Sequence, residues 1–463
     1  MTRHSDAISD WSLTELKSVY FVGIGGIGMS ALARYFKKQG KEVAGYDRTS
    51  TPLTDTLVGE GIDIHFEDAV EQIPASFSRT EKENALVVYT PAIPDSSPEL
   101  NWLKDEGYRV EKRAQVLGQI ANSTTCLAIA GTHGKTTTTA IVAHILEDSG
   151  RGCNAFIGGI TANYHSNVIL SASSALTVVE ADEFDRSFLA LSPDFAVITS
   201  VDADHLDIYE NHQELVNSFE QFANRLDEGG LLIKNAQVPF SISGNELVYS
   251  LEKGDLHADN IRVTDGQYSF DLMMNGELIP GFKLGLPGRH NVENALAAIG
   301  LCHHIGVEID AIKSALANFA GVHRRFDVHL NSPEQVYVDD YAHHPREIDA
   351  CLGSVREMYP GKKIIAIFQP HLFTRTKDFA DDFAKSLSVA DEVILLPIYP
   401  ARELPIAGVD SQMLLDKITN PHKKLVQKSD LFTSLSRGTG SVVVSMGAGD
   451  IDQLVSPLIN HLS

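Results

Sequence analysis

Cysteine is scarce: Cys126, Cys153, Cys302 and Cys351 are the only four in 463 residues, and they are scattered. No C-x-x-C pair and no metal-ligand spacing joins them, which excludes a disulfide framework and a cysteine zinc site and fits reduced thiols in a cytoplasmic chain. Long hydrophobic runs are lacking too. No uninterrupted apolar stretch reaches the roughly 18 residues that a membrane helix needs. Residues Met1 to Lys17 carry Asp6, Asp10 and Glu15 without the apolar centre of a signal peptide. The expectation is a protein neither secreted nor inserted in a membrane. Positive charge is also short, with 38 Lys and Arg against 61 Asp and Glu, a formal net charge of −23. A surface that binds phosphates must then be a local pocket in a repulsive field, so broad nucleic-acid binding is disfavoured and a small-molecule partner is expected.

What is present is an ordinary folded composition, 43% hydrophobic and 21% charged, long enough for two to four domains. The run Val19-Tyr20-Phe21-Val22 enters Gly23-Ile24-Gly25-Gly26-Ile27-Gly28, and the helical pattern Met29 to Phe36 follows. Strands at Val43–Tyr46 and Leu86–Tyr89 continue an alternation that reads as a parallel α/β unit over residues 1–120. A second unit, 121–327, opens with the strand Cys126–Ala130 and a second glycine turn. Further strands follow at Leu176–Val179 and Ala196–Thr199, then an antiparallel patch between about 245 and 285 and a helix from Ala295 to Ile305. A third unit, 328–463, has strands at Gln335–Asp340, Ile364–Phe368, Glu392–Leu396 and Ser441–Ser445. No repeat interrupts this order.

The second glycine turn is the more specific. Gly131-Thr132-His133-Gly134-Lys135-Thr136-Thr137, between strand and helix, offers backbone N–H groups to phosphate oxygens, a lysine to the terminal phosphates and a hydroxyl to a magnesium ion. Ile129 stands where the first glycine of a full P-loop pattern would be. Two acidic strand ends, Glu180-Ala181-Asp182-Glu183 and Asp202-Ala203-Asp204-His205-Leu206-Asp207, would lie beside that loop and could complete a metal shell. The first turn, with Asp47 nineteen residues beyond Gly28, fits a dinucleotide fingerprint but equally the diphosphate of a nucleotide sugar. Its ligand stays open between the two. In the third unit, Asp340-Tyr341-Ala342-His343-His344-Pro345 and Phe368-Gln369-Pro370-His371-Leu372-Phe373-Thr374-Arg375-Thr376 lie at strand ends, where Arg375 could take the carboxylate of a small zwitterion. A structural histidine pair and a surface arginine explain them equally well.

In order and spacing these segments, with Gly288-Arg289-His290-Asn291 and Arg324-Arg325-Phe326, resemble the Mur ligases of peptidoglycan synthesis over essentially the whole chain. Within that family they are most similar to the branch that joins L-alanine to UDP-N-acetylmuramate. The resemblance implies an α/β fold of three domains: an N-terminal Rossmann-like domain for the UDP-sugar, a central P-loop ATPase domain with a mixed sheet, and a C-terminal Rossmann-like domain for the amino acid. It assigns Gly25, Gly26, Ile27, Gly28, Met29 and Ser30 to the diphosphate and Asp47 to the uridine side. It places Lys135 on the ATP phosphates, Thr136 and Glu180 on one Mg²⁺ (or Mn²⁺), and His205 with Glu180 on a second. His290, Asn291 and Asn294 would face adenine, and Arg325 the terminal phosphate. Tyr341, His343 and Arg375 would form the L-alanine pocket, with His343 as the candidate base. Two residues depart from the family pattern: Leu372 replaces a common arginine and Ser200 a common asparagine. The implied partners are UDP-N-acetylmuramate, L-alanine and ATP, and a homodimer is compatible with the sequence without being specified by it. The competing readings are a recycling ligase that adds a tripeptide to the same sugar, an NAD-dependent oxidoreductase resting on the first turn alone, and a nucleotide-sugar sensor.

Overall fold

The computed structural model describes residues 13–203, 208–264, 266–401, 403–435 and 440–463. The chain has the three-domain α/β architecture expected, and its contacts divide into two compact units, Met1–Tyr249 with Ala297–Ala315, and Ser250–Leu296 with Leu316–Ser463. Among the described residues no helix is long and apolar enough to cross a membrane.

The first unit holds two sheets. One has five parallel strands in the lateral order Asp63–His65, Glu42–Tyr46, Ser18–Val22, Ala85–Tyr89, Arg109–Lys112. Its middle strand is fully buried, because its run of apolar residues must be covered on both faces. The other runs Asn245–Ser250, Leu231–Asn235, Phe195–Ile198, Thr125–Ala130, Leu176–Ala181, Asn154–Thr161, Ser166–Ile169. All its neighbours are parallel except the last pair, an antiparallel hairpin. Both glycine turns therefore sit at carboxyl ends of central parallel strands, where a doubly wound sheet collects ligands. A single apolar core, including Phe21, Phe36, Phe156, Val168 and Ile198, joins the two sheets.

The second unit has an antiparallel meander, Leu256–Thr264, Gln267–Met274 and Glu277–Leu284. Its larger sheet has the order Asp327–Asn331, Gln335–Asp340, Ser441–Met446, Lys363–Phe368, Glu392–Leu395, Lys423–Leu425, parallel but for the first strand.

Two expectations need correction. The strand Asn245–Ser250, at the start of the expected antiparallel patch, pairs parallel with Leu231–Asn235, because alternation reports a half-buried strand but not its direction. The helix expected from Ala295 starts at Arg289. Its polar opening, Arg289-His290-Asn291, conceals the apolar period on which the sequence reading depends.

In the five-stranded sheet the buried Tyr20 hydroxyl lies 2.6 Å from Glu99 Oε2 and 2.7 Å from His65 Nε2. Burial pushes the Glu99 carboxyl up to about 7 and holds His65 below its ordinary value. Both groups thus favour their neutral forms, with Nδ1–H of His65 donating to the Glu67 carbonyl. For Glu99 the folded state keeps a proton that the unfolded chain releases above about 4.5, so its contribution to stability falls as pH rises through the window up to about 7 and is constant beyond. Glu99→Gln should flatten that fall, as read from urea midpoints at pH 5 and pH 8.

Candidate active site

The lysine-bearing turn is built by backbone geometry first. Ile129, in place of a glycine, is a fully buried residue of the strand Thr125–Ala130, so the turn begins only after it. Gly131 has φ +137°, and a Cβ there would fall 2.0 Å from Thr199 Oγ1. Ser200 then braces the loop: its Oγ accepts the His133 N–H at 2.9 Å and lies 2.9 Å from Thr132 Oγ1, while its carbonyl accepts the Thr132 N–H at 3.1 Å. The serine that departs from the family pattern therefore holds the glycine turn in shape. His133 also faces Asp202 at 3.7 Å.

From this loop the helix Lys135–Asp148 starts. The Lys135 ammonium donates to the Gly131 carbonyl at 2.6 Å and to both oxygens of Glu183, at 2.7 and 2.8 Å. Burial alone would lower its pKa, but Glu183, Asp182 and Glu180 outweigh that and hold it above the ordinary lysine value. Lys135 is thus a permanent cation, and Glu183, fully buried, is its counter-charge. The backbone carbonyl of Glu183 in turn accepts the Tyr209 hydroxyl at 2.6 Å. Arg113 reaches the same acidic strand end at Asp182, 3.3 Å away.

Next on the helix, the Thr136 hydroxyl donates to Glu180 Oε1 at 3.0 Å, while Glu180 Oε2 accepts the Gly158 N–H at 2.8 Å. A Cβ on Gly158 would lie 2.3 Å from that oxygen, so only glycine leaves the carboxylate its place. A hydroxyl and a carboxylate are hard oxygen donors and fit Mg²⁺ or Mn²⁺. Among the described residues no cluster of three His, Cys, Asp or Glu could hold an ion by itself. Such a set suits a cation whose remaining ligands are phosphate oxygens and water. His205, expected as a further ligand, lies outside the described residues, as do Asp204, Leu206 and Asp207.

At the first turn, Gly26 precedes the helix Ile27–Lys38, whose opening turn contains Gly28, Met29 and Ser30. Asp47 closes the turn, since its Oδ2 accepts the Gly25 N–H at 2.8 Å and its Oδ1 the Thr49 N–H at 3.2 Å.

The remaining expected residues belong to the second unit. Asn291 and Asn294 are buried one turn apart, with Asn294 Nδ2 donating to Asn291 Oδ1 at 3.2 Å. Burial pushes His290 down to about 4, with Arg325 adding to the fall against Glu347. Arg325 lies over the Tyr341 ring, 4.9 Å from its centre, and Arg324 over the same ring at 5.2 Å. The turn carrying these arginines has φ +63° at Arg324 and +52° at Phe326. Asp340 holds it by accepting the Phe326 and Ala342 N–H groups, each at 2.7 Å, and Arg324 is tied to Asp339 at 3.0 Å.

Tyr341, His343, His371 and Tyr399 form a row of rings with successive centres 5.2, 6.2 and 5.8 Å apart. Nδ1 of His343 lies 2.9 Å from the Tyr341 carbonyl and 3.3 Å from Glu347. Both neighbours accept, so Nδ1 carries a proton directed at them. Burial, then Arg375, pushes His371 down to about 4 and keeps it neutral. Leu372 has φ +68° and accepts at its carbonyl from the Thr376 hydroxyl at 2.6 Å. The structure therefore brings Lys135, Thr136 and Glu180 together in one unit, and Arg325, Tyr341 and His343, with Arg375 beside His371, in the other. Sequence reasoning missed Glu183 as the partner of Lys135, although it stands in the quoted acidic segment, and gave no role to Arg113 or to the bracing by Ser200.

Three family models match in succession: the Mur ligase family, catalytic domain at residues 18–125, the Mur ligase middle domain at 129–302, and the Mur ligase, glutamate ligase domain at 324–449. The chain is 50% identical to the UDP-N-acetylmuramate–L-alanine ligase of Flavobacterium johnsoniae, over 98% of this chain and 99% of the relative. It is 52% identical to that of Flavobacterium psychrophilum, over 96% and 98%. Among solved structures it is similar to the UDP-N-acetylmuramate-alanine ligase MurC from Thermotoga maritima, with 30% identity, a TM-score of 0.81 and coverage of 96% of this chain and 98% of that one. A murein peptide ligase from Psychrobacter arcticus shares the fold at 23% identity and a TM-score of 0.68, over 96% and 98%.

Ser200→Ala would leave the His133 N–H without its acceptor, a loss on the order of 1–2 kcal/mol in loop order. Affinity for ADP, measured by isothermal titration, should fall about tenfold with the unfolding midpoint nearly unchanged.

Proposed function

Because the chain belongs to the Mur ligase family, we propose that it joins L-alanine to the lactyl carboxylate of UDP-N-acetylmuramate, with ATP cleaved to ADP and phosphate and an acyl phosphate as intermediate. The likeness to L-alanine ligases along almost the full length of both chains supports the choice of substrates. The observation that carries the chemistry is the convergence of Lys135, Thr136 and Glu180 where one strand turns into one helix. ATP and a nucleotide sugar are cytoplasmic metabolites, and the cytoplasm is the proposed place of work. The proposed division is a UDP-sugar domain to about residue 120, an ATP domain to about 327 and an amino-acid domain beyond.

A carboxylate is a poor electrophile in water, and activation requires a better leaving group than hydroxide. The lactyl carboxylate oxygen bonds to the γ-phosphorus while the bond from that phosphorus to the β-bridging oxygen breaks, leaving ADP. Lys135, held cationic by its acidic neighbours, stabilises the charge on the phosphates, and Arg325 is proposed to meet the terminal one. Thr136 and Glu180 would hold a magnesium or manganese ion, which when bound neutralises phosphate charge. The amino group of L-alanine then adds to the acyl carbon, and the tetrahedral intermediate collapses with loss of phosphate. Arg375 would bind the alanine carboxylate, and the amine proton would pass to the imidazole of His343, which its Nδ1 contacts orient. Gly25 to Ser30 and Asp47 are proposed to hold the uridine diphosphate, His290, Asn291 and Asn294 the adenine.

Phosphate release should require UDP-N-acetylmuramate and free L-alanine together. Release driven by tripeptide but not by free alanine would assign the chain to recycling instead, release without the sugar nucleotide would reject the ligase reading, and NADH binding would revive the oxidoreductase. Lys135→Ala should abolish ADP formation, whereas Arg375→Ala should raise KM for alanine about tenfold or more with ATP binding retained. Loss of alanine binding alone in both variants would refute the assignment of roles.

A further inference from the structure

The hairpin Asn154–Thr161 and Ser166–Ile169 forms the edge of the second sheet of the first unit, and its first strand pairs with Leu176–Ala181, the strand that bears Glu180. Two polar contacts leave it in different directions. One is the Gly158 N–H on Glu180. The other is Asn167, which is completely buried. Its Nδ2 donates to the Ile27 carbonyl at 2.6 Å and to Ser30 Oγ at 2.9 Å, and its Oδ1 accepts from Arg34 Nη1. Both donors of the amide are used and its oxygen accepts once, all on one helix, Ile27–Lys38. Arg34 is itself clamped by Glu60 through Nε and Nη2, both at 2.8 Å. Phe156 of the same hairpin packs against Tyr35 of that helix, ring centres 5.7 Å apart.

A buried amide held by three hydrogen bonds specifies one geometry, because a shift of its neighbours leaves polar atoms unpaired in a dry site. What it specifies here is the position of the first turn of the helix that follows Gly25 and Gly26. An apolar contact would keep the helix and hairpin together but would tolerate sliding. Asn167 does not.

We propose that Asn167 is a positioning residue for the sugar nucleotide: from the hairpin that also holds Glu180, it fixes the opening turn of the diphosphate-side helix, and so the seat of that nucleotide. The inference rests on the ligase reading above. Asn167 touches no reacting atom in this scheme. It acts through Ile27 and Ser30, and its removal should be felt by one substrate only.

The test is steady-state phosphate release by the full-length chain with Asn167→Ala and Asn167→Asp. The aspartate keeps the acceptor for Arg34 but sets an oxygen against the Ile27 carbonyl in place of a donor, so it stands in should the alanine variant not fold. KM for UDP-N-acetylmuramate should rise about tenfold, with KM for ATP and for L-alanine changed by less than about twofold and the thermal midpoint within a few degrees of the parent. A parallel rise in all three constants would mean a merely structural role and overturn the proposal. So would an unchanged constant for the sugar nucleotide. If the parent chain itself neither binds nor turns over UDP-N-acetylmuramate, the ligase reading fails and the inference with it. A parent that turns over beside variants that match it overturns the inference alone.

Discussion

A buried ammonium needs a counter-charge, and in this protein Glu183 supplies it to Lys135. The pair fixes more than a charge. Lys135 is also bonded back to Gly131, so the loop from Gly131 to Gly134 closes around its own lysine. Glu183 is anchored in turn through its backbone by Tyr209. These contacts fix the geometry of the proposed polyphosphate site, and catalysis by preorganised charge depends on such fixed geometry.

The same principle recurs at the other end of the proposed reaction. His343 is oriented by the Tyr341 carbonyl and Glu347, both acceptors at one nitrogen. Arg324 is spent on Asp339 and on the Gly447 carbonyl, and Asp340 holds the strained turn between Arg324 and Phe326. The two adjacent arginines have thereby been divided between work. One supports the turn, and the other is proposed to face phosphate.

Between the two glycine turns of the first unit, the hairpin carrying Gly158 and Asn167 is the common neighbour. A peptide-forming ligase that spends one polyphosphate to activate a group on another must hold both at a set distance, since misplacement by an ångström can cost about a hundredfold in rate. Continuous apolar packing keeps the sheets together, but directional hydrogen bonds are what define register.

Local chemistry made a good part of this legible in the amino-acid order. Strand, glycine turn and helix follow one another in both turns because apolar runs, backbone freedom and helical period are properties of neighbouring residues, and Val19–Phe36 and Cys126–Ile145 carry all three. The order of acidic, histidine and arginine segments likewise sufficed for the family. Other facts are contacts between positions far apart, which no local period encodes. Ser200 bracing His133, Glu183 neutralising Lys135, and Asn167 reaching Ile27 across 140 residues exist only once the sheets are assembled. Strand direction at Asn245–Ser250 belongs with them, since a half-buried strand has the same alternation either way. Residue type determined which chemistry is available in this chain. Tertiary structure decided which atoms it is applied to, because hydrogen bonds and ion pairs depend on distances that only the folded backbone sets.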